Sequence, residues 1–202
     1  MEETTVITQR AKPRQNKPPQ QRKATISDGP LDTIAKQARP ARNFDEPPLE
    51  QWRPALSGDI DIRIAADGSW YHEGEPIRRE AIVRVFASIL RREEDGEYYL
   101  VTPVEKWRIQ VDAHALIVTD IDLSSSDGMP ILTATFNTGR QLEVNREQRL
   151  FLDPAQGNAC CMRARHGLSA MLTRAAWYRL AELANENGEV ESAGERFALT
   201  GD

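Results

Sequence analysis

The sequence predicts an α+β fold in which two related strand-helix-strand units are combined with a central antiparallel meander. Apolar and polar residues alternate over residues 60–64, which is the period of a half-buried strand. Apolar residues recur at helical spacing in two separate segments, residues 77–90 and 173–185. Between these segments lies a stretch rich in Val, Ile, Tyr and Trp, and these residue types favour strands.

The first 50 residues differ in composition from the rest of the chain. They are rich in Pro, Gln, Arg and Lys and nearly lack aromatic residues, so they bury too little apolar surface to offset the entropy of ordering. Residues 1–43 hold nine Lys/Arg against four Asp/Glu, although the whole chain has a formal net charge of −5. We therefore predict a disordered basic tail (1–50), an N-terminal α+β half (51–110) and a C-terminal half of antiparallel sheet plus helix (111–202).

Composition also indicates the cellular compartment. No apolar run approaches the roughly 18 residues that a membrane helix requires, and the first residues lack the basic-then-apolar pattern of a secretory signal. The two cysteines, Cys160 and Cys161, are adjacent and give no secreted disulfide framework. We expect a cytoplasmic protein with no membrane span and two unreactive thiols.

Turn residues bound each element of the N-terminal half. The first strand runs into Asp67-Gly68, a hairpin-type pair, and the chain continues into a second short strand at residues 70–72. The first helix covers residues 77–90 and ends at an acidic loop. The meander then begins near Tyr98.

The C-terminal half is predicted in the same way. Turn residues at 124–128 and 137–140 separate the strands of the meander. A strand over residues 159–165 precedes the second helix, for which Thr173 is the expected N-cap. Asn187-Gly188 then turns the chain into a closing strand.

The two helical segments resemble each other. Residues 77–85 and 172–180 share Arg, Ala and Arg at corresponding positions, and each helix runs into a turn that contains Gly-Glu. This similarity is typical of an internal duplication. Two unrelated amphipathic helices can also share a few residues by chance, so the residues alone leave both readings open.

Two long segments carry a resemblance to a known family. Asp67 to Arg79 (DGSWYHEGEPIRR) and Tyr99 to Ile109 (YLVTPVEKWRI) are similar to the bacterial family catalogued as domain of unknown function 1285 (DUF1285), and the similarity extends through residues 163–184. The resemblance covers about residues 55–200. It implies a two-part α+β fold built from repeated motifs, with a C-terminal half superficially like pleckstrin-homology domains. It also implies a ligand site between the halves and a part in signal transduction.

The run Thr102-Pro103-Val104-Glu105-Lys106-Trp107-Arg108 is the main candidate for a binding site. Proline cannot donate to a strand ladder, so it is expected at a strand edge or bulge, where side chains are often turned toward a site. Lys106 and Arg108 would share one strand face and could hold a phosphate or a carboxylate. The alternative is a solvated, salt-bridged strand face.

Other side chains complete the predicted site. Arg165 would add positive charge, Thr102 and Glu105 would hydrogen-bond the anion or orient the lysine, and Trp70 would supply an apolar wall. The predicted ligand-binding set is therefore Thr102, Glu105, Lys106, Arg108, Arg165 and Trp70.

Signatures of common catalytic and cofactor sites are absent from the sequence. It has no phosphate-binding P-loop, dinucleotide-binding glycine motif, nucleophile elbow or zinc-binding H-E-x-x-H. The histidines, His72, His114 and His166, are far apart with no cysteine or carboxylate at ligand spacing. We therefore predict no metal and no cofactor.

The leading hypothesis is a non-enzymatic binding or signalling module that takes a small anionic ligand or a protein partner near the join of its halves. One alternative is an enzyme of unfamiliar type that uses Glu105 or His72. Another is a scaffold whose basic tail contacts nucleic acid or an acidic partner. Residues 8–26 contain six Lys/Arg and no acid, but they have no aromatic residue to stack on a base, so nucleic acid is not the expected partner. No pattern indicates an oligomeric state.

Overall fold

The structure of the chain, a computed structural model, describes residues 47–200. This part of the chain forms two six-stranded sheets, one two-stranded hairpin and two α-helices. The predicted disordered tail therefore lies outside the described residues, except for residues 47–50 at its end. Leu49 is fully buried in the N-terminal core, so folded structure begins before the first predicted strand.

The N-terminal unit consists of one sheet and one helix, preceded by a 3-10 turn. Its sheet has the order β3-β2-β1-β6-β5-β4, in which β1 and β6 are parallel and all other neighbours are antiparallel. The elements are the 3-10 turn (Leu49–Gln51), β1 (Leu56–Ile64), β2 (Trp70–His72), β3 (Glu75–Pro76), α1 (Glu80–Ser88), β4 (Leu90–Arg92), β5 (Tyr98–Val101) and β6 (Lys106–Val111).

The C-terminal unit repeats this arrangement and adds a hairpin. Its sheet has the order β10-β11-β12-β7-β8-β9, with β7 and β12 parallel. The elements are β7 (Leu116–Ser126), β8 (Met129–Phe136), β9 (Gln141–Glu143), β10 (Leu150–Asp153), a 3-10 turn (Pro154–Gln156), β11 (Ala159–Arg163), β12 (Ser169–Leu172), α2 (Arg174–Glu182), β13 (Glu189–Ser192) and β14 (Glu195–Ala198).

The two sheets have the same strand order. Numbered from the first strand of each, both run third, second, first, sixth, fifth, fourth, and in both the first and sixth strands are parallel. This confirms the predicted α+β class with two related units. The helices do not take equivalent places, because α1 connects the third and fourth strands whereas α2 follows the sixth.

Local sequence explains most element boundaries. The Asp67-Gly68 turn joins β1 to β2, and the Thr173 hydroxyl accepts a hydrogen bond from the Ala176 N–H at 3.2 Å, which caps α2 as predicted. Pro103 lies in the turn between β5 and β6 instead of at a strand edge or bulge. Its fixed φ suits the second position of such a turn.

Strand β12 was not predicted. His166 and Gly167 have φ of 58° and 73°, and together they form a two-residue turn of the kind that reverses the chain between antiparallel strands. Three of the four residues of β12 are buried, because this strand lies in the centre of its sheet. A central strand of this kind lacks the polar alternation by which strands are recognised in sequence.

Each unit has its own apolar core, and the two cores meet. Leu116 and Ala164 pack against both clusters, and Leu168 from the C-terminal unit belongs to the N-terminal cluster. The backbones also approach closely: a Cβ added to Gly167 would lie 2.6 Å from the Arg92 carbonyl oxygen. The Arg92 N–H donates to the His166 carbonyl at 3.0 Å, so this contact joins the two units directly.

Candidate functional site

A cavity of about 550 Å³ lies where the two units meet. Helix α1, strands β7, β8 and β9, the β8–β9 turn and the β11–β12 turn form its wall. Its volume is within the range of small-molecule sites, roughly 300–1,000 Å³. The lining combines several apolar side chains with a group of basic ones.

The basic lining comes from three different elements. Arg84 projects from α1, Arg140 from the β8–β9 turn, and Arg165 and His166 from the β11–β12 turn. Within residues 47–200, no aspartate or glutamate lines this cavity. Carboxylates do contact the basic residues from outside the lining: Glu80 lies 3.9 Å from Arg84, and Glu50 bonds His166. The cavity therefore favours a negatively charged ligand group.

His166 is the titratable group of this cavity. Its Nδ1 lies 3.0 Å from a Glu50 carboxylate oxygen, and its side chain is only 13% exposed. Burial lowers the pKa of His166 below its usual value, and the nearby charges of Arg140 and Arg165 act in the same direction, while Glu50 opposes them. The imidazole is consequently biased toward its neutral form.

The remaining lining is apolar. Side chains from α1, from the strands of the C-terminal sheet and from the β11–β12 turn form this surface: Ala81, Val85, Ala87, Leu116, Phe136, Leu142, Ala164 and Leu168. An apolar surface with a few converging charged groups is the usual composition of a small-molecule site. The lining thus suits an anion that also carries an apolar portion.

A second cavity of about 620 Å³ adjoins the first. The two share Arg84, Phe136 and the tip of the β8–β9 turn in their lining. Trp70, predicted to be an apolar wall, lines this second cavity, but it is only 3% exposed and packs against Phe86 with ring centroids 6.1 Å apart. Most of its surface therefore belongs to the N-terminal core.

Lys106 lies elsewhere, in a network of charged residues. Its ammonium donates to Glu93 at 2.8 Å and lies 4.6 Å above the ring of Tyr99, while Arg91 forms a second ion pair with the same carboxylate. Burial alone would raise the pKa of Glu93, but the hydrogen bonds from Lys106 and Arg91 outweigh it and the pKa lies below its ordinary value. The lysine is thus neutralised within the chain.

Arg108 lies on the same strand face as Lys106, since Tyr99 is its cross-strand partner. Its guanidinium makes a two-pronged contact with Asp59, at 2.7 and 3.0 Å. These hydrogen bonds lower the pKa of the exposed Asp59 carboxyl. The hydroxyl of Tyr99 donates to Asp95 at 2.7 Å, which raises the pKa of Tyr99 to about 12. Lys106 and Arg108 therefore each have an internal partner of opposite charge.

Thr102 and Glu105 shape the turn that precedes β6. The Thr102 side chain is fully buried, and its hydroxyl accepts a hydrogen bond from the Glu105 N–H at 3.0 Å. The Glu105 carboxylate in turn accepts from the indole N–H of Trp107 at 3.3 Å. Both side chains therefore hold the β5–β6 turn in place.

The fold separates the predicted site residues into three groups. Thr102, Glu105, Lys106 and Arg108 lie around the β5–β6 hairpin, Trp70 lines the second cavity, and Arg165 lines the first. Among the described residues, no hydrogen bond or ion pair joins Glu105 to His72, the two groups of the enzymatic alternative.

Sequence reasoning missed Arg84, Arg140 and His166. Each comes from a separate element, and only the packing of the two units brings them together. The sequence contained one usable signal, the His166-Gly167 pair that forces a tight turn next to Arg165. No local pattern indicates which turns meet in the folded chain.

Fold and cavity together define an α+β protein of two topologically equivalent units with a cavity at their junction. The model for the N-terminal domain of DUF1285, a domain of unknown function, matches residues 47–114, and the model for the DUF1285 C-terminal domain matches residues 115–199. The chain belongs to the DUF1285 family. A search of curated proteins gave no match.

Two solved structures are similar to this chain. A DUF1285 family protein from Silicibacter pomeroyi has 36% sequence identity and a TM-score of 0.74, and the match covers 83% of this chain and 94% of that one. A DUF1285 family protein from Shewanella baltica has 29% identity and a TM-score of 0.52, over 61% of this chain and 92% of that one. No helix within residues 47–200 has the length and apolar character needed to cross a membrane.

Proposed function

We propose that this chain is a ligand-binding module, with a part in signal transduction, whose ligand is a small anion with an apolar portion. The ligand occupies the cavity at the junction of the two units. The observation that carries this proposal is the lining, in which Arg84, Arg140, Arg165 and His166 converge over an apolar surface. The family resemblance, which implies a site between the halves, supports the same location. The cytoplasm is the compartment we propose for this module.

The charged and apolar parts of the lining have different roles. Arginine makes two-pronged hydrogen bonds to carboxylate or phosphate, so Arg165 and Arg140 would fix the anionic group. Val85, Leu116 and Leu142, which line the cavity and are only partly buried, would cover the apolar portion. Small carboxylic acids with an aliphatic or aromatic body fit both requirements.

The location suggests how binding could be transmitted. Residues from both units line the cavity, so a bound ligand contacts α1 on one side and the two C-terminal turns on the other. Ligand binding then favours the arrangement in which these elements are close together. A change in the packing of the two units is the signal that we propose.

The hairpin residues Lys106 and Arg108, with Thr102 and Glu105, remain a second possible position for the anion. A ligand there would have to replace Glu93 as the partner of Lys106 or Asp59 as the partner of Arg108. The cavity beside Lys106 is lined almost entirely by charged side chains, three of them acidic, so it offers little apolar surface for the body of the ligand and is the weaker candidate.

The test measures binding of a defined panel by calorimetry and thermal shift. The panel contains inorganic phosphate, nucleotides and carboxylic acids with chains of increasing length. We expect an apolar carboxylate to bind the wild type, and Arg165→Gln to weaken its binding by about tenfold or more, as for loss of a charged hydrogen bond. The matched control, Lys106→Ala, removes a cation outside the cavity and should bind as the wild type does.

The outcomes separate the two positions. Loss of binding in Lys106→Ala but not in Arg165→Gln would move the site to the β5–β6 hairpin and refute the cavity as the site. Failure of every compound in the panel to bind the wild type would refute an anionic ligand altogether.

The pH dependence of binding gives a second test. An anion beside His166 favours the protonated imidazole, so affinity should increase as the pH falls toward the lowered pKa of His166. His166→Gln should remove most of this increase. An affinity that is independent of pH in the wild type would contradict a ligand position next to His166.

A further inference from the structure

Three side chains of metal-binding type, none of which lines the junction cavity, converge beside the C-terminal sheet. His114 lies in the segment between the two units, Asp153 ends β10, and Cys161 lies in β11. Their ligand atoms all lie within 4.8 Å of one another. The positions of these residues in the sequence did not indicate a metal site, because His114 and Cys161 are 47 residues apart and only the fold brings them together.

His114 has polar contacts at both of its ring nitrogens. The Nε2 atom of His114 lies 3.0 Å from a carboxylate oxygen of Asp153 and 3.3 Å from the sulfur of Cys161. The other ring nitrogen, Nδ1, lies 2.8 Å from the hydroxyl of Ser169. Two of the three groups therefore approach a single nitrogen of the imidazole.

This arrangement does not fit a nucleophilic cysteine. In such a site the thiol bonds one nitrogen of the histidine and the carboxylate orients the other, so that a proton can be relayed. Here Cys161 and Asp153 both approach Nε2.

Convergence on one point is what ligands of a metal ion show. With bond lengths of about 2.0–2.3 Å, a tetrahedral zinc ion separates its nitrogen and oxygen ligands by about 3.4 Å and its nitrogen and sulfur ligands by about 3.6 Å. The observed separations from Nε2 are 3.0 and 3.3 Å, so each of these two pairs would need to move apart by only a few tenths of an ångström. The Asp153 oxygen and the Cys161 sulfur lie within 4.8 Å of each other, against about 3.6 Å in a tetrahedral zinc site.

The surroundings also match a metal site. A metal-binding histidine usually bonds a polar group through its second nitrogen, and Ser169 occupies that place at Nδ1. The hydroxyl can accept from an Nδ1–H, which leaves the Nε2 lone pair free to bind a metal ion. The second carboxylate oxygen of Asp153 accepts from the Ala155 N–H at 3.0 Å, which orients the carboxylate.

We propose that His114 Nε2, Asp153 Oδ2 and Cys161 Sγ bind one divalent ion of the zinc class, with a fourth position left for water or another ligand. On binding, the Cys161 S–H bond breaks, a metal–sulfur bond forms, and the proton is released to solvent. The ion would tie the segment that connects the two units to strands β10 and β11 of the C-terminal sheet.

The test uses cobalt(II) as the probe, with the full chain free of any affinity tag. Cobalt bound to a thiolate gives a near-ultraviolet charge-transfer absorption, and its visible bands report the coordination number. We expect one cobalt ion per chain, displaced by zinc, and a higher melting temperature with either metal. The matched control exploits Cys160, which is also buried but on the opposite face of β11.

Cys161→Ser should lose the charge-transfer absorption, and Cys160→Ser should keep it. Asp153→Asn, a change at a partly exposed side chain, should keep the absorption at saturating cobalt but weaken binding by about tenfold or more. Circular dichroism establishes that each variant is folded. If Cys161→Ser fails to fold, the Asp153→Asn result decides, and unchanged affinity in that variant overturns the proposal.

Two other results would overturn it as well. The first is a wild type that binds cobalt without a thiolate band, or binds none. The second is a charge-transfer band that persists in folded Cys161→Ser or disappears in folded Cys160→Ser. The junction cavity is not involved in this experiment, because none of its lining residues is a proposed metal ligand.

Discussion

Replacing Gly167 by alanine tests the contact that holds the two units together at the cavity. Gly167 is the second residue of the β11–β12 turn and has a φ of 73°. The new Cβ would lie 2.6 Å from the backbone carbonyl oxygen of Arg92, a separation that carbon and oxygen atoms cannot maintain. The turn that contributes Arg165 and His166 to the cavity would have to move away from β4.

The expected loss of stability in Gly167→Ala has two parts. An alanine in the left-handed conformation costs about 1–2 kcal/mol relative to glycine. Opening the contact also strains the 3.0 Å hydrogen bond from the Arg92 N–H to the His166 carbonyl, which is worth about 1 kcal/mol. We therefore expect Gly167→Ala to lower the free energy of unfolding by roughly 2–3 kcal/mol, or the melting temperature by about 4–12 °C.

Gly128→Ala is the matched control. Gly128 is also the second residue of a two-residue hairpin turn, with a φ of 79°, but an added Cβ would meet nothing within 4 Å. Urea unfolding of both variants should show a loss about 1 kcal/mol greater for Gly167→Ala. Equal losses would refute the reasoning, because they would show that the close approach to Arg92 relaxes without cost. Ligand binding should weaken in Gly167→Ala only.

Two further predictions concern buried polar groups. The Ser192 hydroxyl accepts from the Leu132 N–H at 2.8 Å and donates to the Val144 carbonyl at 2.6 Å. Ser192→Ala should therefore lower the free energy of unfolding, measured in urea, by about 2–4 kcal/mol. The control, Ser124→Ala at an exposed position, should change it by less than about 0.5 kcal/mol. Burial lowers the pKa of His166, so the unfolded chain takes up a proton more readily and wild-type stability should fall as the pH drops below about 6.5. Melting curves of His166→Gln across this range should show a smaller loss, and an identical pH profile would contradict the burial of a neutral imidazole.

Local patterns predicted much of the fold. The alternation at residues 60–64, the Asp67-Gly68 turn and the Thr173 cap depend on neighbouring residues, and the structure confirms each of them. The parallel strand pairs were not predicted, because the two strands of each pair, β1 with β6 and β7 with β12, are separated in sequence by most of a unit. No periodicity within a strand identifies a partner so distant in sequence.

The candidate site was predictable only in part, for the same reason. The sequence indicated that Lys106 and Arg108 share a face and left a salt-bridged face open as the alternative. It did not identify their partners, Glu93 and Asp59, which lie 13 and 49 residues away. It selected Arg165 for its charge, but the cavity around it depends on how the two units pack. The residue types therefore suggested a site for an anion, and the tertiary structure determined where that site lies.

The parallel pair at the centre of each sheet also has a consequence for synthesis on the ribosome. Asp59 in β1 and Arg108 in β6 are 49 residues apart. His114, just before β7, and Ser169, the first residue of β12, are 55 residues apart. Closing two loops of such similar length costs nearly the same entropy, since that cost grows only with the logarithm of length. We expect the N-terminal unit to close as soon as β6 has emerged. We expect the C-terminal unit to stay open until β12 follows, so that one side of β7 is unpaired in the meantime.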